Sequence, residues 1–143
     1  MTARRIRTRA VRPRRAPRGG VYGIGVDILH VARIEKVYAR HGQRLVERLL
    51  HPLELKDFAK VSKPALYLAK SFAIKEAFVK AMGTGFFGIS HDDVGAIRKA
   101  SGKPEFVFSK RLQVRLKRLK IKAAHVSLSD EGGIVGAVAI LER

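Results

Sequence analysis

Residues 72–85 have the sequence FAIKEAFVKAMGTG, and this stretch decides how the rest of the chain is organised. Its apolar residues recur at helical spacing, and the apolar pattern continues back to a proline at position 64. Gly83 lies where a helix would end in a left-handed residue. We therefore predict one long helix over 64–82, followed by a short glycine loop.

A carboxylate interrupts the apolar stripe of this helix. An unpaired buried carboxylate is costly, so it must be neutralised, paired or bound to a metal. The alternative is a surface ion pair between Glu76 and Lys80, four residues apart, worth about 0.2–0.5 kcal/mol. The stripe, at spacings of four, four and three, consists of Leu68, Phe72, Glu76 and Val79.

A second acid lies at the end of a predicted strand over 21–29, VYGIGVDIL. Gly23, Gly25 and Asp27 alternate onto one face of this strand. Glycines in a strand often mark the close approach of a ligand or another backbone, so we expect Asp27 to face an open space. Two carboxylates from separate elements suit Mg²⁺, which takes its remaining ligands from water and substrate phosphates. Neighbouring lysines also favour a phosphate.

Charge and composition restrict the remaining possibilities. The 143 residues carry a net charge of +18, which favours anionic partners but does not select among them. Residues 1–20 contain eight arginines and no acid, which predicts a disordered arm before a single domain over 21–143. The absence of cysteine excludes disulfides and thiolate metal sites and is consistent with a cytoplasmic protein. No apolar run is long enough to span a membrane.

Shorter helices and strands surround the long helix. Their order indicates an α+β fold, with a small antiparallel sheet packed against the long helix and the shorter helices. A turn at Asp130-Glu131-Gly132-Gly133 is expected to join the last two strands. We predict helices over 31–40, 43–50, 52–59 and 109–119, and strands over 93–99, 104–108, 122–129 and 133–141.

Three weaker features have both a functional and a structural interpretation. The loop Gly83-Thr84-Gly85 offers backbone N–H groups to a phosphate, but a simple helix end explains it equally well. His125 lies alone on a strand, where histidine is usually structural. Two basic helix faces are either solvated surface or docking faces: Arg33, Lys36 and Arg40, and Arg111, Arg115 and Arg118.

Four segments together resemble holo-acyl-carrier-protein synthases, the small bacterial 4′-phosphopantetheinyl transferases, over about residues 21–143. The resemblance implies that 4′-phosphopantetheine moves from coenzyme A to a serine of an acidic apo-acyl carrier protein, with Mg²⁺ as cofactor and adenosine 3′,5′-bisphosphate as product. It also implies a cytoplasmic homotrimer that serves fatty acid biosynthesis, with sites at subunit interfaces. The segments are GIGVDI at 23–28, the central motif at 72–85, GKP at 102–104 and HVSLSDE at 125–131.

The resemblance also assigns roles to individual residues. Asp27 and Glu76 match the metal ligands, and Lys80 matches a lysine that contacts phosphate and takes part in proton transfer. The base is then Glu76 or a metal-bound water. The implied coenzyme-binding residues are Lys75, Lys80, Gly83, Thr84, Gly85 and His125. The implied docking residues for the carrier protein are Arg33, Arg40, Arg44 and Arg48.

The chain departs from the family pattern at two places. Ser71, preceded by Lys70, stands where many members have arginine, and Asp130-Glu131 stands where many have His-Asp. A role of either family group is therefore not transferred to this chain. A rival hypothesis is a nucleic-acid-binding protein that acts through the arm over 1–20. That hypothesis leaves Glu76 on its apolar stripe unexplained.

Overall fold

The computed structural model describes residues 19–143, so the arm predicted over 1–20 lies almost wholly outside the described residues. Gly20 and Arg143 exchange backbone hydrogen bonds of 3.3 and 2.9 Å, which places the start of regular pairing just before the predicted boundary. The elements are β1 Val21–His30, α1 Val31–His41, α2 Gln43–Leu49, α3 Pro52–Phe58, α4 Pro64–Met82, a 3₁₀ turn His91–Asp93, β2 Val94–Arg98, β3 Pro104–Phe108, α5 Lys110–Arg118, β4 Ala123–Glu131 and β5 Ile134–Glu142.

The strands form two antiparallel sheets, which confirms the α+β class. One sheet has the order β1-β5-β4, and β2 and β3 form a separate pair. The β4–β5 hairpin is tighter than predicted, because β4 continues through Asp130 and Glu131. Only Gly132 and Gly133 form the turn, with φ of 57° and 79°, a conformation that glycine adopts without steric cost.

Helix α4 packs directly on the inner face of the three-stranded sheet. A Cβ on Gly25 would lie 1.8 Å from Ala77 O, and one on Gly23 would lie 1.9 Å from Ala81 O. The glycines therefore make room for the helix backbone rather than for a ligand. The expectation that Asp27 faces an open space is wrong, because Asp27 is the next residue on this helix-covered face and its side chain is 14% exposed.

The two faces of the sheet differ sharply in burial. The inner face of β5 is fully buried against α4 through Val135, Ala137, Ala139 and Leu141. The outer face of β1 is apolar but open, since Ile24 is 59% exposed, Val26 49% and Ile28 70%. A contiguous apolar face of this kind commonly marks an interaction surface.

Helix α5 confirms its predicted polarity, with Leu112 and Leu116 in the core. It begins one residue later than predicted because Ser109 is its N-cap and accepts a hydrogen bond of 3.2 Å from Leu112 N.

Among the helices between residues 19 and 143, none is both long enough and apolar enough to cross a membrane.

Candidate active site

Two of the predicted site residues meet where β1 crosses α4. The ammonium of Lys80 lies 3.0 Å from Asp27 Oδ1 and also donates to Val26 O at 3.0 Å. The side chain of Lys80 is 50% exposed, so this contact lies at the surface end of the helix–strand crossing. The fold thus brings together a carboxylate and an ammonium group that are 53 residues apart in the chain.

Glu76 completes the cluster from the preceding turn of α4. It is half-buried rather than part of the core, whereas Val79, the last residue of the predicted apolar stripe, is buried. Partial burial raises the pKa of Glu76, and the nearby charge of Asp27 raises it further, while Lys80 and Arg33 oppose the shift. In the described part of the chain, Lys80 forms its salt bridge with Asp27 and none with Glu76. The alternative of a surface ion pair between Glu76 and Lys80 is therefore not formed.

The donor set of this cluster fits a hard cation with a phosphate ligand. Asp27 and Glu76 offer carboxylate oxygens, which Mg²⁺ prefers. Within the described chain, no three His, Cys, Asp or Glu residues are grouped to hold a metal by themselves. An ion held by these two acids therefore needs oxygen ligands from water or a substrate.

Arg33 lies beside this cluster, at the start of α1. Its guanidinium is 5.8 Å from the centre of the Phe72 ring, and its charge lowers the pKa of Glu76. The other three arginines of the predicted docking face are exposed farther along α1 and α2. Arg44 and Arg48, with His41 and Leu45, line a shallow pocket of about 230 Å³.

Lys75, predicted to line the coenzyme site, lies in the core, and that prediction is wrong. Its side chain is 0% exposed. The ammonium donates to Glu54 Oε2 at 2.7 Å, to His91 O at 2.8 Å and to Val94 O. These three acceptors occupy all of its protons, so none remains for a ligand. Burial lowers the pKa of Lys75, and the charge of Glu54 opposes this shift.

The partner of Lys75 is Glu54, which the sequence did not single out as a site residue. Glu54 is 1% exposed and ties α3 to α4 and β2. It accepts from His51 N at 2.9 Å, Ser71 Oγ at 3.0 Å and Ala96 N at 3.0 Å, besides Lys75. The capping-box position of Glu54 at the start of α3 was the available signal. Ser71, one of the departures from the family pattern, supports this buried carboxylate.

A basic cavity of about 630 Å³ lies between α3, α4 and the β2–β3 pair. Apolar side chains such as Tyr67, Ile74 and Leu128 form part of its wall. An α-helix has about 3.6 residues per turn, so Ile74 and Glu76 project from roughly opposite sides of α4. The cavity and the acid cluster therefore occupy different faces of one helix. The cations lining the cavity are Lys60, Lys63, Lys70 and Arg98.

The arrangement of Asp27, Glu76 and Lys80 falls within a matched family model, that of the 4′-phosphopantetheinyl transferase superfamily, which covers residues 23–137. The chain belongs to this superfamily. It is therefore a transferase, and the resemblance drawn from its four motifs is confirmed. The expected fold is confirmed as well, by the structural similarities below.

Known relatives in this family match almost end to end. The chain is 44% identical to a holo-[acyl-carrier-protein] synthase of Neisseria meningitidis over 124 residues, which is 86% of this chain and 99% of the relative. A crystal structure of a holo-[acyl-carrier-protein] synthase from N. meningitidis has a TM-score of 0.84 at 42% identity and covers 87% of this chain and 100% of the other. The Helicobacter pylori enzyme in complex with coenzyme A has a TM-score of 0.72 at 29% identity, covering 82% and 98%.

The glycine loop of this transferase ends the helix and leaves no backbone N–H group for a phosphate. Gly83 N donates to Lys80 O at 3.0 Å, and Gly85 N donates to Val79 O at 3.2 Å. Thr84 N also donates to Val79 O, at 3.4 Å. The structural alternative is therefore correct for these amides. The Thr84 hydroxyl, which donates to Gly85 O at 2.9 Å, is the group of this loop that a ligand can still recruit.

His125 is not brought to the acid cluster within one chain. It lies on the outer face of β4, opposite Ile140, whereas Asp27 lies on the inner face of β1. Its side chain is 52% exposed, and Nε2 lies 3.4 Å from Glu142 Oε2. Any contact of His125 with the coenzyme must therefore be made on the outer side of the sheet.

Proposed function

We propose that this transferase moves 4′-phosphopantetheine from coenzyme A to a serine hydroxyl of an acidic apo-acyl carrier protein, in a Mg²⁺-dependent reaction. The product would be adenosine 3′,5′-bisphosphate, and the setting would be cytoplasmic fatty acid biosynthesis. The observation that carries the proposal is the cluster of Asp27, Glu76 and Lys80, because it unites two metal-type acids with a phosphate-type cation. Relatives named holo-[acyl-carrier-protein] synthase support the substrate pair.

The chemistry assigned to the cluster is displacement at phosphorus. The serine oxygen forms a bond to the phosphorus that bears pantetheine, and the bridging oxygen leaves with the adenosine bisphosphate. Asp27 and Glu76 would hold Mg²⁺, which would supply positive charge to offset that of the pyrophosphate. Lys80 balances charge on the same oxygens. The serine proton would pass to Glu76 or to water.

We place the nucleotide end of coenzyme A in the basic cavity. Lys63 and Arg98 would pair with its phosphates, while Tyr67 and Pro104 offer apolar surface to the base. The cavity and the acid cluster project from different sides of α4, which favours a site shared between two chains. One coenzyme would then lie between the cavity of one protomer and the acid cluster of its neighbour.

The exposed outer face of β1 supports a homotrimer of this kind. Burying Ile24, Val26 and Ile28 against neighbouring copies would remove a large apolar surface from water. His125 lies on the same face of the sheet and would then approach a neighbour's coenzyme. Size-exclusion chromatography with light scattering is expected to show a trimer for the wild type and a smaller species for Ile28→Lys. A wild-type monomer would contradict this arrangement.

The exposed arginines of α1 and α2 form the proposed docking face for the carrier protein. An acidic partner would be steered to them by charge, so the encounter should weaken as salt rises. The docking face lies next to the cluster, because Arg33 is close both to Phe72 and to Glu76. The face consists of Arg33, Arg40, Arg44 and Arg48.

Mass spectrometry of the carrier protein tests the proposed function. The full chain is incubated with coenzyme A, Mg²⁺ and an apo-acyl carrier protein, with a Ser→Ala carrier protein as control. The expected result is a phosphopantetheine mass addition to the serine carrier only, abolished by EDTA and restored by Mg²⁺. Absence of the addition under all metal conditions would contradict the proposal.

A further inference from the structure

A surface ion pair restrains one of the cavity cations. Lys70 Nζ lies 3.1 Å from Asp130 Oδ1, which joins the middle of α4 to the end of β4. Lys70 lines the 630 Å³ cavity, whereas Asp130 lines a neighbouring cavity of about 420 Å³ beside the β4–β5 turn. The ion pair therefore links a residue lining one cavity to a residue lining the other.

Lys70 differs from the other cations of this cavity. Across residues 19–143, it is the one cation of the set whose charge is paired with a carboxylate. Arg98 donates instead to the Gly102 carbonyl. Among the acids of the wall, Glu54 is occupied by Lys75, and Asp57 is exposed and takes part in no salt bridge of the described chain. Asp130 therefore offsets the charge of one cavity cation, Lys70, and not that of the others.

The ion pair is accessible enough to water for Lys70 to exchange Asp130 for another anion. The side chain of Lys70 is 26% exposed and that of Asp130 is 42% exposed, and pairs this accessible to water contribute little. A lysine side chain has four rotatable bonds, and its ammonium readily exchanges one oxygen partner for another. A phosphate that enters the cavity carries more charge than a carboxylate and is the stronger partner.

We propose that Asp130 is a competing counter-ion for Lys70, which it holds in the empty enzyme and releases to a phosphate of coenzyme A on binding. This inference rests on the proposed function of the cavity as the coenzyme site. Asp130 thereby sets the coenzyme affinity below the value that the cavity cations alone would give. The acid at this position is one of the departures from the family pattern, so the restraint belongs to this sequence.

The alternative explanation is a general field effect, in which any carboxylate near the cavity weakens anion binding. Glu131 provides a matched control, because Glu131→Gln removes the same charge one residue away. Asp130 pairs with Val135 on the inner side of the hairpin, whereas Glu131 pairs with Ile134 on the outer side. Successive strand residues project to opposite faces, so Glu131 lies away from Lys70.

Isothermal titration of coenzyme A into the full-length variants tests the proposal. Asp130→Asn is expected to tighten binding about twofold to fivefold, whereas Glu131→Gln leaves the affinity close to that of the wild type. Lys70→Met should weaken binding, and Asp130→Asn should have no effect in the Lys70→Met background. Equal effects of Asp130→Asn and Glu131→Gln, or an Asp130→Asn effect that persists without Lys70, would overturn the proposal.

Two further variants separate this proposal from the placement of the coenzyme. Lys63→Met and Arg98→Ala should both weaken coenzyme A binding if the nucleotide occupies the cavity. Unchanged affinity in both would contradict the cavity assignment, and the counter-ion proposal with it. Weakened binding in both, together with equal effects of Asp130→Asn and Glu131→Gln, would overturn the counter-ion proposal alone.

Discussion

The ammonium of Lys80 lies 3.0 Å from Asp27 Oδ1. The lysine that we propose contacts the phosphates is therefore bound to a carboxylate that we propose holds the metal. Under the proposed function, Lys80 would leave Asp27 and turn towards the pyrophosphate when Asp27 holds the metal. Lys80→Met is therefore expected to lower kcat about 10²–10³-fold, the loss typical for one group that stabilises transition-state charge. Steady-state kinetics provides the measurement. A change confined to KM for the carrier protein would show that the assigned role is wrong.

The raised pKa of Glu76 has consequences for both stability and activity. Because its pKa in the folded chain lies above the ordinary value of 4.5, the folded state binds its proton more tightly than the unfolded state does. The contribution of Glu76 to stability is therefore full below the ordinary pKa and is lost as the pH rises through the folded pKa. Glu76→Gln should raise Tm at pH 7 in metal-free buffer and leave it nearly unchanged at pH 4.

Activity should follow the opposite direction, because transfer needs the ionised carboxylate. At limiting Mg²⁺, where most of the enzyme is metal-free, the acidic limb of kcat/KM should lie above pH 4.5. Arg33→Gln should move it to higher pH, since Arg33 lowers the pKa of Glu76. Adding Mg²⁺ should raise the Tm of the wild type and not that of Glu76→Gln. A stabilising effect of Mg²⁺ on both proteins would place the metal elsewhere.

The buried pair of Lys75 and Glu54 should be structural rather than catalytic. Lys75→Met leaves Glu54 buried without its cation, which typically costs about 3–5 kcal/mol of unfolding free energy. The double variant Lys75→Met with Glu54→Gln should recover much of that loss, because no isolated charge remains. Urea denaturation measures both effects. Wild-type stability of Lys75→Met would contradict the network as described, and Glu105→Gln at the exposed Lys99 pair is a suitable control.

Carrier-protein docking is best tested at Arg44 rather than at Arg33. Arg33 also acts on Glu76, so its replacement would change kcat and KM together. Arg44→Glu should raise the KM for the carrier protein at least several-fold at low salt, with little change in kcat, and the difference should shrink as salt is added. Arg118→Glu, the same charge change on α5, is the control. Equal effects of the two variants would indicate a general charge effect.

Local patterns in the sequence were sufficient for much of the fold and for the acid cluster. Helix α4 could be predicted to the residue because proline begins it and glycine ends it. Asp27 and Glu76 could each be singled out, because each is an acid where apolar packing or bare glycine was expected, but only the fold shows that they lie close together. Lys75 and Glu54 could not be paired, since they are 21 residues apart and meet only when α3 packs on α4.

Other features depend on tertiary packing. The pattern Gly23-x-Gly25 is equally consistent with a nearby ligand and with a nearby helix, and only the position of α4 decides between them. The basic cavity is lined by residues of α3, α4, β2 and their connections, so it could not be predicted from any single segment of the sequence. The amides of the loop over 83–85 could serve a phosphate or the helix end until their acceptors were known.

The rate of phosphopantetheine transfer by Asp27→Asn and Glu76→Gln tests most directly whether the acid cluster is the catalytic centre. Mass spectrometry of the carrier protein gives this rate at saturating coenzyme A and Mg²⁺, with circular dichroism to confirm folding. Both variants are expected to lose at least about 10³-fold in rate while remaining folded, since under the proposed function each would remove a ligand of the metal. Wild-type rates in either folded variant would contradict the assignment of the cluster.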